Sequence, residues 1–196
     1  MEMRENRIVC ITGLTGAGKS EVSDRFVEKG FQYVRFGQLT IDEVKRRGLE
    51  ISEKNERSVR EDLRAKHGMA AFATLNLPKF DELMFLGPVI ADGLYSFEEY
   101  KVLKEHYGDK MVVVAVWAPP EIRYDRLEQR FTGKGDKQVR NRKLTRKEAK
   151  SRDYAEIEKL NKGGTIAMAE YTILNTKDFK YLLNQVDETI EKISGK

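Results

Sequence analysis

The sequence is short of several things at once: 196 residues include one cysteine, two histidines, four prolines and one tryptophan. A single thiol, Cys10, excludes a disulfide framework and a thiolate zinc site. It lies in the apolar run Ile8-Val9-Cys10-Ile11 and reads as a small core residue. His67 and His106 lack metal-ligand spacing and read as surface or helix-end residues, and Trp117 reads as core rather than as a stacking platform. Long hydrophobic runs are missing too. The longest, Met111 to Ala118, is too short to cross a bilayer and reads as a buried strand. Met1-Glu2-Met3-Arg4-Glu5 lacks the apolar stretch of a secretory signal, so the expectation is a cytoplasmic protein with no membrane partner. Charge of one sign is scarce as well, since 36 Lys and Arg face 32 Asp and Glu for a net +4. That excess suits an anionic ligand but, without a patch or motif, does not point to nucleic acid.

What remains is an ordinary core composition, 40% hydrophobic and 35% charged, in a chain that fits one α/β domain over 1–196. A strand from Arg7 to Thr12 enters a glycine-rich turn and then a helix from about Gly18 to Lys29, stopped by Gly30. Phe31 to Phe36 reads as a strand. Helices are expected over Leu39 to Arg47 and Glu53 to Lys66, the latter capped by Ser52, with more helix towards Leu77 before Pro78. A short strand from Pro88 ends in Asp92-Gly93. It precedes a helix over Phe97 to His106, the strand Met111 to Trp117, and a helix opened by Pro119-Pro120 that reaches Arg130. Residues 132–150 are polar and basic. A helix carrying Tyr154, Ile157 and Leu160, a strand Tyr171 to Leu174 and a last helix with apolar spacing from Phe179 to Ile193 complete the pattern. Strands alternating with helices predict a doubly wound parallel α/β sheet.

The decisive motif is Gly13-Leu14-Thr15-Gly16-Ala17-Gly18-Lys19-Ser20, which satisfies G-x-x-x-x-G-K-[ST] between an apolar strand and an amphipathic helix. Chance supplies this pattern in roughly one chain in a hundred of this length. Glycines let successive backbone N–H groups face one phosphate, and the following helix adds its positive end. Lys19 would reach the β- and γ-phosphates of a nucleotide, and the Ser20 hydroxyl would ligate Mg²⁺.

Other residues carry weaker signals, each with a bland alternative. Asp92 closes a strand at the carboxyl edge of the sheet, where it would serve Mg²⁺ or accept a proton; Asp-Gly is also turn chemistry. Arg123, Arg126 and Arg130 share one helix face and would meet phosphoryl oxygens, or else form a solvated face with Glu121, Asp125 and Glu128. Arg57, Arg60 and Arg64 repeat the spacing and would grip an acceptor's phosphate, or balance Glu53, Glu56 and Glu61. The basic segment from Lys134 to Lys150 reads as a lid, a plain loop or a nucleic-acid contact.

No Asp in the chain has Gly three positions later, and Asn161-Lys162-Gly163-Gly164 lacks the final Asp of a guanine reader, which argues against a switch GTPase. Several stretches then carry a resemblance: the loop Gly13 to Ser20, Phe36-Gly37-Gln38-Leu39 with Glu43-Val44-Lys45, and Asp92-Gly93-Leu94. They continue through Ala118-Pro119-Pro120-Glu121 with Arg126 and Arg130, Arg152-Asp153, and Ala169-Glu170-Tyr171 to Asn175. From about Arg7 to Ile193 the chain resembles the uncharacterised adenylate-kinase-related P-loop proteins, which are similar to dephospho-coenzyme A kinases and nucleoside monophosphate kinases.

The resemblance implies a five-stranded parallel core, a helical acceptor-binding insertion over about 37–80 and a lid over about 131–151. It implies Mg-ATP as donor, held by Gly13 to Ser20 and Arg126, with Lys19, Asp92, Arg126 and Arg130 catalytic and Ser20 and Asp92 serving the metal. Acceptor contacts are expected from Gln38, Arg60 and Arg64. Leu94-Tyr95 replaces the arginine that adenylate kinases place after Asp-Gly, and Gln38 and Ile41 replace an Asp and an Arg, which argues against AMP. The expected activity is γ-phosphoryl transfer to a small phosphorylated acceptor. A dephospho-coenzyme A kinase and, from another class, an ATP-binding regulator or nucleic-acid-associated NTPase stay open.

Overall fold

The computed structural model describes residues 6–130 and 143–195. Its strands are β1 (Ile8–Thr12), β2 (Gln32–Arg35), β3 (Val89–Asp92), β4 (Met111–Trp117) and β5 (Tyr171–Leu174). They form one parallel sheet in the order β2-β3-β1-β4-β5, so the glycine-rich turn leaves the central strand. The inner strands β1, β3 and β4 are largely apolar because both faces are covered, while the edge strands β2 and β5 are only partly buried. Cys10, Val113, Ala91 and Val34 pack on one side with Phe36, Phe72 and Phe80; Val9, Ile11, Val114 and Ile173 pack on the other with Val22, Phe26, Leu182 and Val186.

The second side is covered by α1 (Lys19–Glu28) and α9 (Phe179–Ile193), joined by the paired bonds from Arg25 Nε and Nη2 to Asp187 at 2.8 and 2.7 Å. Three helices stand between β2 and β3: α2 (Gln38–Arg46), α3 (Glu53–His67) and α4 (Ala71–Leu86). Ser52 caps α3 as its position predicts, accepting from Asn55 N. Pro78 does not end the helix, contrary to expectation; α4 runs through it to Leu86. The missing N–H removes one rung, while Phe72, Leu77, Phe80, Leu83 and Met84 bury one continuous face that holds the helix together.

After β3 come α5 (Phe97–Tyr107) and, beyond β4, α6 (Pro120–Gln129), α7 (Arg146–Glu158) and α8 (Lys162–Ala167). Residues 131–142 of the expected lid lie outside the described residues, and 146–151 open α7. Trp117 corrects a second expectation, since it is 46% exposed. It ends β4 on the face opposite the core residue Val116 and sits beside Leu174, which is also exposed. Edge strand β5 is closed at that point by Gln185, whose amide both accepts from Leu174 N and donates to Leu174 O.

The capping box of α5 gives a measurable consequence. Glu99 Oε2 accepts from the N–H groups of Tyr95 and Ser96, while Oε1 is buried without a partner. Burial pushes the Glu99 carboxyl up to about 7, against the pull of those bonds and of Arg64. The folded protein therefore holds a proton that the unfolded chain has released above its ordinary value of 4.5. That contribution to stability is complete below 4.5 and lost as pH rises through 7. Glu99→Gln keeps an oxygen acceptor but cannot titrate, so urea midpoints of the variant should fall less than wild type between those pH values. Parallel slopes would contradict the assignment.

Candidate functional site

The loop between β1 and α1 adopts the conformation that its glycines permit. Gly13 has φ 138, and a Cβ there would stand 2.3 Å from the carbonyl oxygen of Val116. Gly18, the N-cap of α1, has φ 101, and its Cβ would meet Asn175 Nδ2 at 2.2 Å. An alanine at either place would require backbone to move. Lys19 begins the helix and folds back so that Nζ donates to the carbonyls of Gly13 and Leu14 at 2.9 and 3.2 Å. Desolvation first, and then the ammonium of Lys162, push Lys19 down to about 7; Glu156 and Asp92 act in the opposite direction. Ser20 follows, half-buried at the second position of α1.

Asp92 ends β3 level with Ile11 on β1, and Tyr33 OH donates to its Oδ2 at 3.1 Å. Ser20 and Asp92 are hard oxygen donors of the kind Mg²⁺ takes, and Asp92 lies near enough to Lys19 to act on its charge. Among the described residues no group of three His, Cys, Asp or Glu side chains could hold a metal by itself.

The arginines of α6, which share one face, part company here. Arg123 is 2% exposed and points inward, donating through Nη1 and Nη2 to Asp153 at 2.8 and 2.5 Å. It also donates from Nη1 to Thr15 O and from Nε to Ala118 O, so it braces the loop from behind. Arg126 is half-buried, bonded through Nη2 to Asn175 Oδ1, whose Nδ2 in turn donates to Ala17 O; its Nη1 is buried with no partner. Arg130 is the C-cap of α6, next to the undescribed segment.

The arginines of α3 divide as well. Arg57 pairs with Glu61, and Arg60 pairs with Glu53 at 2.7 Å, close to Glu56. Arg64 is different: its guanidinium lies 4.9 Å over the Phe72 ring, and Nε is buried without a partner. Gln38 opens α2 half-buried, and its amide donates to Asp42 at 2.8 Å.

Glu156 stands out in no motif, whereas Lys162, Tyr95 and Asp153 figure in the sequence only in other connections: an incomplete guanine reader, a departure from adenylate kinases and the pair Arg152-Asp153. Glu156 of α7 accepts from Thr15 Oγ1 at 2.8 Å, Arg152 Nε at 3.2 Å and Lys162 Nζ at 2.7 Å. These cations hold its carboxyl well below the ordinary range despite burial. Lys162 is 1% exposed and also lies 4.9 Å over the Tyr95 ring. Tyr95 occupies the neighbourhood of the missing arginine, packed against Gly93 with its hydroxyl over Gly37. Asp153 completes the set.

A five-stranded parallel sheet flanked by helices, with G-x-x-x-x-G-K-S leaving the central strand, defines a P-loop protein of the kinase-like type. The chain belongs to the family described as AAA domain, whose profile matches residues 9–162. It is 32% identical over 188 residues to a UPF0200 protein of Thermococcus onnurineus, a match covering 95% of this chain and 97% of that one. In fold it is similar to a gluconokinase from Sinorhizobium meliloti 1021 (TM-score 0.58, 11% identity, covering 98% of this chain and 96% of that one). It is likewise similar to the shikimate kinase of Acinetobacter baumannii (TM-score 0.55, 18% identity, 97% and 94%). No helix among the described residues is long and apolar enough to cross a membrane.

Proposed function

We propose that the protein transfers the γ-phosphoryl group of Mg-ATP to a small phosphorylated acceptor. The observation that carries this reading is a set of three cations, Lys19 on the loop, Arg126 on α6 and Arg64 on α3, that form no salt bridge among the described residues. Lys19 bonds only to carbonyls, and Arg126 and Arg64 each bury a guanidinium nitrogen that has no partner. Such groups are costly to bury unless an anion completes them. Lys19 and the loop amides would take the β- and γ-phosphates, and Arg126 the donor phosphates from the α6 side. Arg64 would take the anionic group of the acceptor. Arg60 is held by Glu53 and Glu56 and would shape that wall rather than bind.

The chemistry asks mainly for positioning and charge neutralisation. As the bond from Pγ to the bridging oxygen breaks and the acceptor oxygen takes its place, charge spreads onto oxygens facing Lys19 and Arg126. Asp92 would receive the acceptor's proton or help to hold the metal. When bound, Mg²⁺ at Ser20 and Asp92 would neutralise the phosphate oxygens. Arg130 would contribute from the end of α6.

Mg-ATP offered with a panel of nucleoside monophosphates, dephospho-coenzyme A or no acceptor should release ADP only where an acceptor is present. An acceptor-independent ATPase that binds RNA or DNA in a salt-sensitive way would overturn the kinase reading in favour of a nucleic-acid-associated NTPase. Turnover with dephospho-coenzyme A alone would name the acceptor.

A further inference from the structure

Two hydrogen-bonded paths leave the glycine-rich loop and meet in one residue. At the foot of the loop, Thr12 Oγ1 lies 2.8 Å from Thr165 Oγ1, which donates to the backbone carbonyl of Lys162 at 2.8 Å. At its crest, Thr15 Oγ1 donates to Glu156 Oε1, and Glu156 Oε2 receives Lys162 Nζ. The ring closes through Lys162, so Thr12 at the end of β1 and Thr15 of the loop are clasped by α7 and α8 together. Local structure aims the lysine inward. Asn161, the N-cap of α8, has φ 50, a left-handed conformation that Asn tolerates, and its amide is held by Glu98 Oε1 at 3.3 Å. The ammonium is then confined between the Glu156 carboxylate and the Tyr95 ring.

The charges explain why a lysine is needed there. Glu156 is a buried carboxylate bonded to the side chain of a loop residue, so it stands beside the region where phosphates would enter. Uncompensated, it would repel them in a medium that screens poorly. Arg152 contributes one bond from a partly exposed position, whereas Lys162 is wholly enclosed. We propose that Lys162 is a positioning residue for nucleotide binding, fixing the crest of the loop through Glu156 and cancelling that carboxylate towards the incoming phosphates. The proposal rests on the loop being a nucleotide site, but it assigns Lys162 no contact with the nucleotide.

Calorimetric titration of the full-length protein with Mg-ADP separates the possibilities. Lys162→Met leaves Glu156 with only Thr15 and the partly exposed Arg152 and should weaken ADP binding at least about tenfold. Adding Glu156→Gln in the same chain removes the repulsion and should restore affinity to within about threefold of wild type. Thr165→Val keeps the ion pair but loosens the foot of the ring, with an expected loss of about threefold. Melting temperatures taken alongside report on folding, and should Lys162→Met not fold, the double variant and Thr165→Val decide. If the double variant stays as weak as Lys162→Met, Lys162 either touches the phosphates itself or merely holds the fold, and the proposal is wrong. Wild-type affinity in Lys162→Met, or in Thr165→Val, overturns it equally. Absence of ADP binding by the wild-type protein would bring down the nucleotide site along with it.

Discussion

Replacing Lys19 with alanine is expected to lower ADP release in the acceptor assay by a factor on the order of a thousand or more, with no loss of melting temperature. The first half follows from what the ammonium does when phosphates are present. A full positive charge held against the transferring group would be the kind of preorganised contact whose removal costs about two to three powers of ten even for a neutral donor. The second half follows from what it does when they are absent. Its hydrogen bonds go to the carbonyls of Gly13 and Leu14, within its own loop. Desolvation and the nearby Lys162 both work against its charge. Its value in the folded state, about 7, lies below the ordinary 10.5, so folding expels a proton and stability rises with pH across that interval. Lys19→Ala should abolish that rise, and near neutral pH it should melt no lower than wild type. Turnover close to wild type would end the assignment of this loop as the phosphate site. A large fall in melting temperature would mean that the lysine serves the fold instead.

That pairing of a functional gain with a structural cost explains which parts of the molecule were legible in advance. Lys19 bonds to carbonyls five and six residues back, and the positive φ of the three loop glycines is a local demand, so a short pattern reveals them. Strands β4 and β5 and helix α9 begin and end where apolar periodicity places them, because burial on one or both faces fixes their composition. Tertiary packing defeated local rules at Pro78, which the apolar face of α4 carries through, and at Trp117, which the end of the sheet leaves uncovered. Long-range pairing was invisible. Arg123 and Arg126 look alike in the sequence, yet Arg123 meets Asp153, thirty positions on, and Arg126 meets Asn175. Lys162 lies in Asn161-Lys162-Gly163-Gly164, read only as an incomplete guanine reader. The clue available was the turn chemistry of an Asn before the lysine and two glycines after it, which marks a sharp change of direction but not what the lysine meets.

The buried pair on which α6 and α7 meet makes the clearest separation of folding from binding. Asp153 takes both Arg123 nitrogens and the Tyr124 hydroxyl at 2.9 Å, and both charged side chains are almost wholly enclosed. Asp153→Ala strands a guanidinium in that interior and should cost about 3–5 kcal/mol. For a chain of this size each kcal/mol moves the melting temperature by roughly 2–4 °C, so a fall of roughly 6–20 °C is expected. Replacing both partners, Arg123→Met with Asp153→Leu, removes the unpaired charge, and stability should return to within about 1–2 kcal/mol of wild type. Nucleotide affinity should not return with it. Arg123 Nη1 also holds the carbonyl of Thr15, and that bond is absent from the double variant however well it packs. Differential scanning calorimetry together with ADP titration of the three proteins gives both quantities. Recovery of stability without recovery of affinity is the expected result, and it would mean that the ion pair is kept for the shape of the loop. If affinity recovers in step with melting temperature, the brace contributes nothing beyond holding α6 to α7.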